Sequence, residues 1–144
     1  MIFDYIEAMD KKKVISYFNA FTTNAKDLLK DKGQTINKLK EAFKKANFHK
    51  DSLDTIWDKL HMLLSLAGDY SQGRYTAIPK RSIIAIIGAL LYFLSPLDFI
   101  PDFIFGLGFI DDVYVITLVY KQVIKDLEAY SLWKNGSAKL IHIE

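Results

Sequence analysis

An uncharged apolar run from Ser82 to Leu97 constrains the fold of this chain more than any other feature. The run is 16 residues long and follows Pro79, Lys80 and Arg81. Proline at this place favours the first turn of a helix, so we predict a helix over residues 79–94. A helix that is apolar on every face must lie at the centre of a bundle or in lipid. Since a spanning helix needs about 20 apolar residues, the length of the run favours a protein core.

The N-terminal half contains three segments with apolar residues at helical spacing. The first follows Asp10 and ends near Gly33, after a short helical lead-in over residues 2–9. The second covers residues 35–47, with Ile36, Leu39, Phe43 and Ala46 on one side and lysines elsewhere. The lysines predict a solvated face, with binding to anionic lipid as the alternative.

The third segment has the narrowest apolar stripe. Asp51 or Ser52 is expected to cap it, and a break is expected between Gly68 and Gly73. We predict that this stripe is buried against residues 79–94 and 113–130. The stripe consists of Leu53, Ile56, Trp57, Leu60 and Leu64.

The C-terminal region predicts one long helix over residues 113–130, closed by Trp133, Asn135 and Gly136. Only residues 139–143 show a pattern compatible with a strand. The expected fold is therefore all-α: a compact bundle of five or six helices around a hydrophobic helical hairpin at residues 79–130. We expect one domain over 1–144, with N-terminal helices at 1–70, the hairpin region at 71–134 and a tail at 135–144.

Composition excludes several functional classes. The chain has 144 residues and no cysteine, which removes disulfide scaffolds, thiolate zinc sites and cysteine nucleophiles. The net charge of +2 does not favour a nucleic-acid partner. No signal peptide is apparent at the N-terminus, so we expect a cytoplasmic or cytoplasmic-membrane-associated protein. His49, His61 and His142 lack the paired spacing of helical metal sites, and no cofactor is expected.

The segment from Tyr92 to Asp112 carries four aspartates in apolar surroundings: Asp98, Asp102, Asp111 and Asp112. Ser95 and Pro96 have the pattern of a helix start, and Pro101 permits a second one. The aspartates are therefore predicted to cap helices in the hairpin connection, which Gly106 and Gly108 allow to turn. Two alternatives are a site for Mg²⁺ or Ca²⁺ and an acidic rim that binds a partner.

The basic residues nearest to these aspartates in sequence can pair with them if the helices are antiparallel: Arg74, Lys80 and Arg81. Ser95 has no neighbouring histidine to activate it as a nucleophile. Catalysis is therefore not the expected activity.

The same segment resembles the YkvA-like family of bacterial proteins and domains of unknown function. The resemblance is carried by Tyr92, Pro96, Asp98, Ile100, Pro101, Asp102, Gly108, Asp111 and Asp112. It extends over about half the chain, through Tyr70, Gly73, Tyr75, Ile78 and Pro79 upstream and through Asp126, Leu127, Tyr130 and Trp133 downstream. In many relatives a second Ile-Pro pair follows, whereas here Ile104 precedes Phe105. The resemblance implies a fold and often a membrane-related role, and it implies no established reaction.

Together these features favour a non-enzymatic, membrane-associated or membrane-proximal interaction protein. A membrane surface or a protein is the expected partner. One alternative is a soluble protein-binding module, such as an immunity or regulatory protein. The other is a divalent-cation-dependent enzyme or sensor that uses the aspartates.

Overall fold

The structure is a computed structural model that describes residues 11–51, 53–94 and 110–143, without the side chains of residues 13, 17, 110–112 and 137–143. Within these ranges the chain forms six α-helices and no strand, as the all-α prediction requires. The helices are α1 (Lys11–Leu28), α2 (Lys32–Phe48), α3 (Trp57–Ser71), α4 (Lys80–Leu94), α5 (Ile110–Gln122) and α6 (Ile124–Ile143). A single 3₁₀ turn, Asp54–Ile56, precedes α3. The predicted lead-in at residues 2–9 lies outside the described ranges.

Helix α4 is the centre of the bundle. It contacts α1, α2, α3 and α5, and ten of its 15 residues are buried. An all-round apolar helix of this length satisfies its apolar surface only when other helices surround it. The sequence prediction of a central helix beginning after Pro79 is confirmed.

The stripe of α3 is buried as predicted, with one exception. Leu53, Ile56, Leu60 and Leu64 are all in the core, and α3 contacts α4 and α5. Trp57 is only partly buried and packs against the edge of the core. It stands at the first residue of α3, and its ring lies 4.3 Å from that of His61.

The boundary between α1 and α2 differs from the prediction. Gly33 does not end α1, which stops at Leu28; it lies in the first turn of α2. Asp31 sets this boundary because its Oδ1 accepts a hydrogen bond from the N–H of Gln34 at 3.0 Å. The cap at Asp31 satisfies a free backbone amide of α2 and so favours a helix start at this point. This effect outweighs the tendency of Gly33 to end a helix.

The predicted start of α3 is wrong, whereas its predicted end is confirmed. No side chain caps the start, because the 3₁₀ turn leads directly into Trp57; Asp51 does not serve as the cap, and Ser52 is outside the described ranges. The helix ends at Ser71, inside the predicted break between Gly68 and Gly73. Gly68 itself is still helical: glycine inside a helix costs up to about 1 kcal/mol, and burial of Leu66 and Ala67 beside it outweighs that cost.

The C-terminal region forms two helices instead of one. Val123 separates α5 from α6, although the chain keeps a helical path there through 3.0 Å hydrogen bonds from Val123 to Val119 and from Leu127 to Val123. Trp133, Asn135 and Gly136 do not end the helix, which runs to Ile143. The strand suggested by the pattern at residues 139–143 is therefore wrong, and the predicted tail is helical up to Ile143. Short apolar runs do not distinguish strand from helix by periodicity alone.

Helices α1 and α4 approach each other closely at Gly88. A Cβ atom added to Gly88 would lie 3.2 Å from Thr22 Cγ2 and 3.4 Å from Thr22 Cα. The second of these atoms is backbone, so a larger side chain cannot be accommodated by a change of rotamer. Glycine at this position sets the distance between the two helices.

We therefore expect Gly88→Leu to destabilise the fold by about 1 to 3 kcal/mol, the usual cost of overpacking a core. Leucine is a better helix former than glycine, so any loss of stability is caused by the steric clash with α1. Gly136→Leu is the matched control, because Gly136 is also helical and a Cβ there meets nothing within 4 Å. Urea unfolding followed by circular dichroism measures both; equal stability of the two variants would contradict the close approach.

Candidate functional site

Tyr92 is the one residue of the predicted motif whose side chain the structure describes. It is 1% exposed, and its ring meets Phe21 at 5.4 Å and Phe18 at 6.4 Å between centroids, both edge to face. Phe18 and Phe21 belong to α1. Tyr92 therefore joins the last turn of α4 to α1 and is part of the core.

The other motif residues are described partly or not at all. Asp111 and Asp112 lie in the first turn of α5, just after its start at Ile110, and their side chains are not described. The remaining motif residues are outside the described ranges: Pro96, Asp98, Pro101, Asp102 and Gly108. The capping, cation and partner-binding hypotheses for these residues remain predictions.

Helix α2 holds the end of α4 from which the motif departs. Lys45 Nζ donates a hydrogen bond to the carbonyl oxygen of Phe93 and lies 4.8 Å from the centroid of its ring. A cation beside the last carbonyls of a helix interacts favourably with its negative end. A residue from the N-terminal half thus holds the last turn of α4 in place.

A buried polar network joins α3 to α6. Its centre is Asp69, which is 7% exposed. One carboxylate oxygen accepts a hydrogen bond from Arg74 Nε at 2.7 Å and forms an ion pair with Arg74 Nη2, also at 2.7 Å. The other oxygen accepts a hydrogen bond from the Tyr130 hydroxyl and lies 3.7 Å from Lys134 Nζ. Ser65 completes the network, 2.6 Å from the Tyr130 hydroxyl and 2.7 Å from Lys134 Nζ.

The network changes the acidity of its two buried members. Burial opposes ionisation of Asp69, but hydrogen bonds from Tyr130 and Arg74 and the charges of Lys134 and Arg74 outweigh it, so the pKa of Asp69 lies below its ordinary value. Burial, followed by the hydrogen bond to Asp69, raises the pKa of Tyr130. The stable form of the network therefore has an ionised carboxylate and a protonated phenol.

The network has the composition of a serine–lysine pair but lacks an activated base. Lys134 forms an ion pair with Asp69, so it serves as an ammonium donor to Ser65. A serine nucleophile needs a neighbour that can take its proton, and neither this ammonium nor the protonated phenol of Tyr130 does so. The arrangement is suited to holding helices together.

Residues that carry the family resemblance outside the motif converge on this network. Tyr75 lies 5.1 Å from Tyr130 and 5.0 Å from Trp133 between ring centroids. Asp126 accepts a hydrogen bond from Ser82 at 2.6 Å, which ties the start of α4 to α6. Burial and then the negative charge of Asp126 raise the pKa of Tyr75. The upstream and downstream parts of the resemblance are therefore in contact.

The family resemblance marked Tyr130, but the sequence did not single out Asp69, the centre of the network. Arg74 had been predicted as a partner of the motif aspartates, whereas it pairs with Asp69. Lys80 and Arg81 make no ion pair with any described residue. One feature of the sequence could have indicated the network: Asp69 is an acid that lies three residues after Leu66, in the segment with the narrowest apolar stripe.

A groove of about 600 Å³ lies between α2 and α3. Its walls are mainly apolar, from Ile36, Leu39 and Phe43 of α2 and Leu64 of α3. The sequence predicts Ile36, Leu39, Phe43 and Ala46 on one side of α2. Ala46 is buried and Leu39 packs against the core, whereas Phe43 is 45% exposed, because the residues that α2 buries are the small ones, Thr35, Ala42 and Ala46. Small residues allow α2 to approach the bundle closely, and the larger side chains then line its flank.

Charge and polarity differ between the two sides of this groove. Lys40 and Lys44 stand at the α2 side, and neither forms an ion pair in the described part of the chain. On the α3 side His61 lies between Trp57 and Phe43, at 4.3 and 5.4 Å between rings. Its Nε2 is buried and has no hydrogen-bond partner. The groove thus combines apolar walls, unpaired cations and one unsatisfied polar atom.

The described residues were also considered as a metal site and as membrane-spanning helices. No three carboxylate or histidine side chains cluster as a metal site among the residues that the structure describes. In that same part of the chain, no helix combines the length and the hydrophobicity needed to cross a bilayer.

Comparison with known proteins identifies a family for the region around α4 and the motif. Residues 82–118 match the family described as protein of unknown function (DUF1232). The chain is 39% identical over 66 residues to the "Uncharacterized membrane protein YkvA" of Bacillus subtilis (strain 168), covering 46% of this chain and 62% of that protein. The chain therefore spans less than two thirds of this relative.

Part of the chain is also similar to animal proteins. The chain is 44% identical over 52 residues to the E3 ubiquitin-protein ligase RNF170 of Xenopus laevis, covering 31% of this chain and 20% of that protein. For RNF170 of Danio rerio the identity is 49% over 49 residues, covering 33% of this chain and 18% of that protein. No solved structure matches the chain. The family match and the identity to the Bacillus protein agree on one conclusion: the chain contains a YkvA-like domain of unknown function.

Proposed function

We propose that the chain is a membrane-associated helical domain that lies against an anionic membrane surface through the outer face of α2. The observation that carries the proposal is the exposure of Phe43 and Phe48, at 45% and 85%, on a helix that also exposes Lys40 and Lys44. At helical spacing the two lysines lie between the two phenylalanines on the side away from the core. Unpaired cations flanked by apolar rings suit the boundary between headgroups and acyl chains.

One other finding supports this proposal. The Bacillus relative carries the name of a membrane protein. Peripheral association is compatible with that name because it needs only a membrane surface. The domain then binds at the cytoplasmic face, where anionic lipids attract basic segments, and its role is an interaction instead of a reaction.

Vesicle sedimentation tests the proposal directly. We expect the protein to sediment with vesicles of phosphatidylglycerol and phosphatidylcholine, to bind vesicles of phosphatidylcholine alone much less, and to dissociate as salt is added. Each lysine near an anionic surface contributes about 1 kcal/mol, so Lys40→Gln with Lys44→Gln should weaken binding about 10- to 30-fold. Phe48→Ser should weaken it by a comparable factor because its ring leaves water on binding.

Leu132→Ser is the control for surface hydrophobicity. Leu132 is 75% exposed on α6, so its replacement removes a similar exposed apolar group from another helix. We expect this variant to bind vesicles like the parent. Vesicle binding that is lost in Leu132→Ser and kept in Phe48→Ser would assign the membrane surface to α6 and overturn the proposal for α2.

A second candidate function is a soluble protein-binding module. Leu132 and Trp133, exposed at 75% and 37% on α6, favour it, since adjacent exposed apolar side chains commonly mark protein contacts. Absence of vesicle binding at low salt, with the protein folded, would leave this function as the better supported one.

A further inference from the structure

The groove between α2 and α3 has the properties of a site for one small amphiphile. Its volume of about 600 Å³ falls within the range of roughly 300 to 1,000 Å³ that small-molecule sites occupy. Its walls, Ile36, Leu39, Phe43 and Leu64, are apolar. Such walls favour a hydrocarbon chain over a polar ligand.

The cations of the groove specify the other end of the ligand. Lys40 and Lys44 have no acidic partner among the described residues. The one acid of α2 that forms an ion pair there, Glu41, is engaged by Lys38 at 3.3 Å. The rim is therefore positive, and a carboxylate or phosphate group is complementary to it.

We propose that this groove binds a single anionic lipid, with one acyl chain between α2 and α3 and the anionic group at Lys40 and Lys44. The proposal deepens the proposed membrane function and rests on it, because the groove opens on the same helix that faces the membrane. A helix of a partner protein is the less suitable occupant, since an α-helix with side chains is about 10–12 Å across, which is too wide for a groove of about 600 Å³.

Calorimetric titration of the full chain with dodecanoate and with dodecyl phosphate, both below their micellar concentrations, tests the proposal. We expect saturable binding of one molecule for each chain with both ligands, and none with dodecyltrimethylammonium, which has the same chain and the opposite charge. Binding of both anions shows that the site recognises an apolar chain with a negative group. The ligand with the lower Kd indicates whether the site prefers a carboxylate or a phosphate headgroup. Equal binding of the cationic compound, or no binding of either anion, would overturn the proposal.

Two variants locate the ligand. Gly68 lines the groove and a Cβ there meets nothing within 4 Å, so Gly68→Leu should fill the groove without disturbing the fold and should abolish binding. Gly136→Leu is the matched control and should bind like the parent. Lys40→Gln with Lys44→Gln should weaken binding about tenfold, as expected for two solvent-exposed ion pairs. Unchanged binding in folded Gly68→Leu would place the ligand elsewhere and reject the groove.

The membrane and groove proposals fail in different ways. Phe48 is not a groove residue, so Phe48→Ser should reduce vesicle binding and leave dodecanoate binding intact. Gly68→Leu should abolish dodecanoate binding and retain the electrostatic part of vesicle binding. Vesicle binding without any dodecanoate binding would reject only the groove site.

Discussion

Replacing Tyr92 by alanine is expected to lower the free energy of unfolding by about 3 to 5 kcal/mol, the usual cost of deleting a buried aromatic side chain. Tyr92 is 1% exposed and meets Phe18 and Phe21 of α1 edge to face. Its removal leaves a cavity between α1 and α4 at the end of the central helix. Urea unfolding followed by circular dichroism measures the loss.

Tyr92→Phe is the matched control because it keeps the ring and removes only the hydroxyl. A loss of up to about 1.5 kcal/mol is expected, the usual net contribution of one hydrogen bond. The pair of variants also decides whether this motif residue is structural. If Tyr92→Ala kept the parent's stability and lost vesicle binding, Tyr92 would belong to a binding surface and its assignment to the core would be wrong.

The sequence predicts the central part of this fold because its strongest patterns and the tertiary packing agree. The run beginning at Ser82 is apolar on all faces, and only a central position satisfies such a helix. Leu60 and Leu64 follow the period of a buried face and are buried. In both cases hydrophobic burial, the largest favourable term in folding, is visible in the residue types alone.

Helix ends and the face of α2 were less predictable because competing local effects are similar in size. Asp31 as a cap prevailed over Gly33 as a stop, and a 3₁₀ turn took the place of the expected cap at Asp51 before α3. On α2, close approach through Ala42 and Ala46 outweighed burial of the larger Phe43. Each of these choices involves about 1 kcal/mol, and their outcome depends on which neighbouring helix is available.

The polar network could not be predicted because its members are far apart in the chain. Asp69 and Tyr130 are 61 positions apart, and no local pattern relates them. The resemblance did mark Tyr130 and Tyr75, but as separate residues on either side of the motif. Their contact requires α3 and α6 to be adjacent, which is a property of the whole bundle.

Removal of the Asp69 carboxylate is the second substitution with a large expected effect. Deleting one member of a buried ion pair costs about 3 to 5 kcal/mol. The Arg74 and Lys134 side chains, however, are 53% and 55% exposed. Water can therefore replace part of the interaction that they lose with the Asp69 carboxylate. We therefore expect Asp69→Ala to cost about 2 to 3 kcal/mol. Asp69→Asn should cost less, because its amide oxygen can still accept one hydrogen bond.

An exposed ion pair supplies the matched control for the loss of charge. Asp27 lies 3.8 Å from Lys30, and both side chains are more than three quarters exposed, at 77% and 79%. Asp27→Asn makes the same chemical change as Asp69→Asn and should alter stability by less than about 1 kcal/mol. Equal effects of the two variants would show that burial of Asp69 does not strengthen its interactions.

The pH dependence of Asp69→Asn separates the effect of charge from that of shape. Because the pKa of Asp69 is lowered in the folded protein, the stability that its carboxylate provides is complete above the unfolded pKa, near 3.8. That stability is lost as the pH falls toward the folded value, where the carboxylate takes up a proton. The asparagine variant has no such titration, so the difference in free energy of unfolding between parent and variant should be constant near neutral pH and should narrow below about pH 4. A difference that persists unchanged into strong acid would mean that the amide fits the network poorly, and that the charge of Asp69 contributes little to holding α3 against α6.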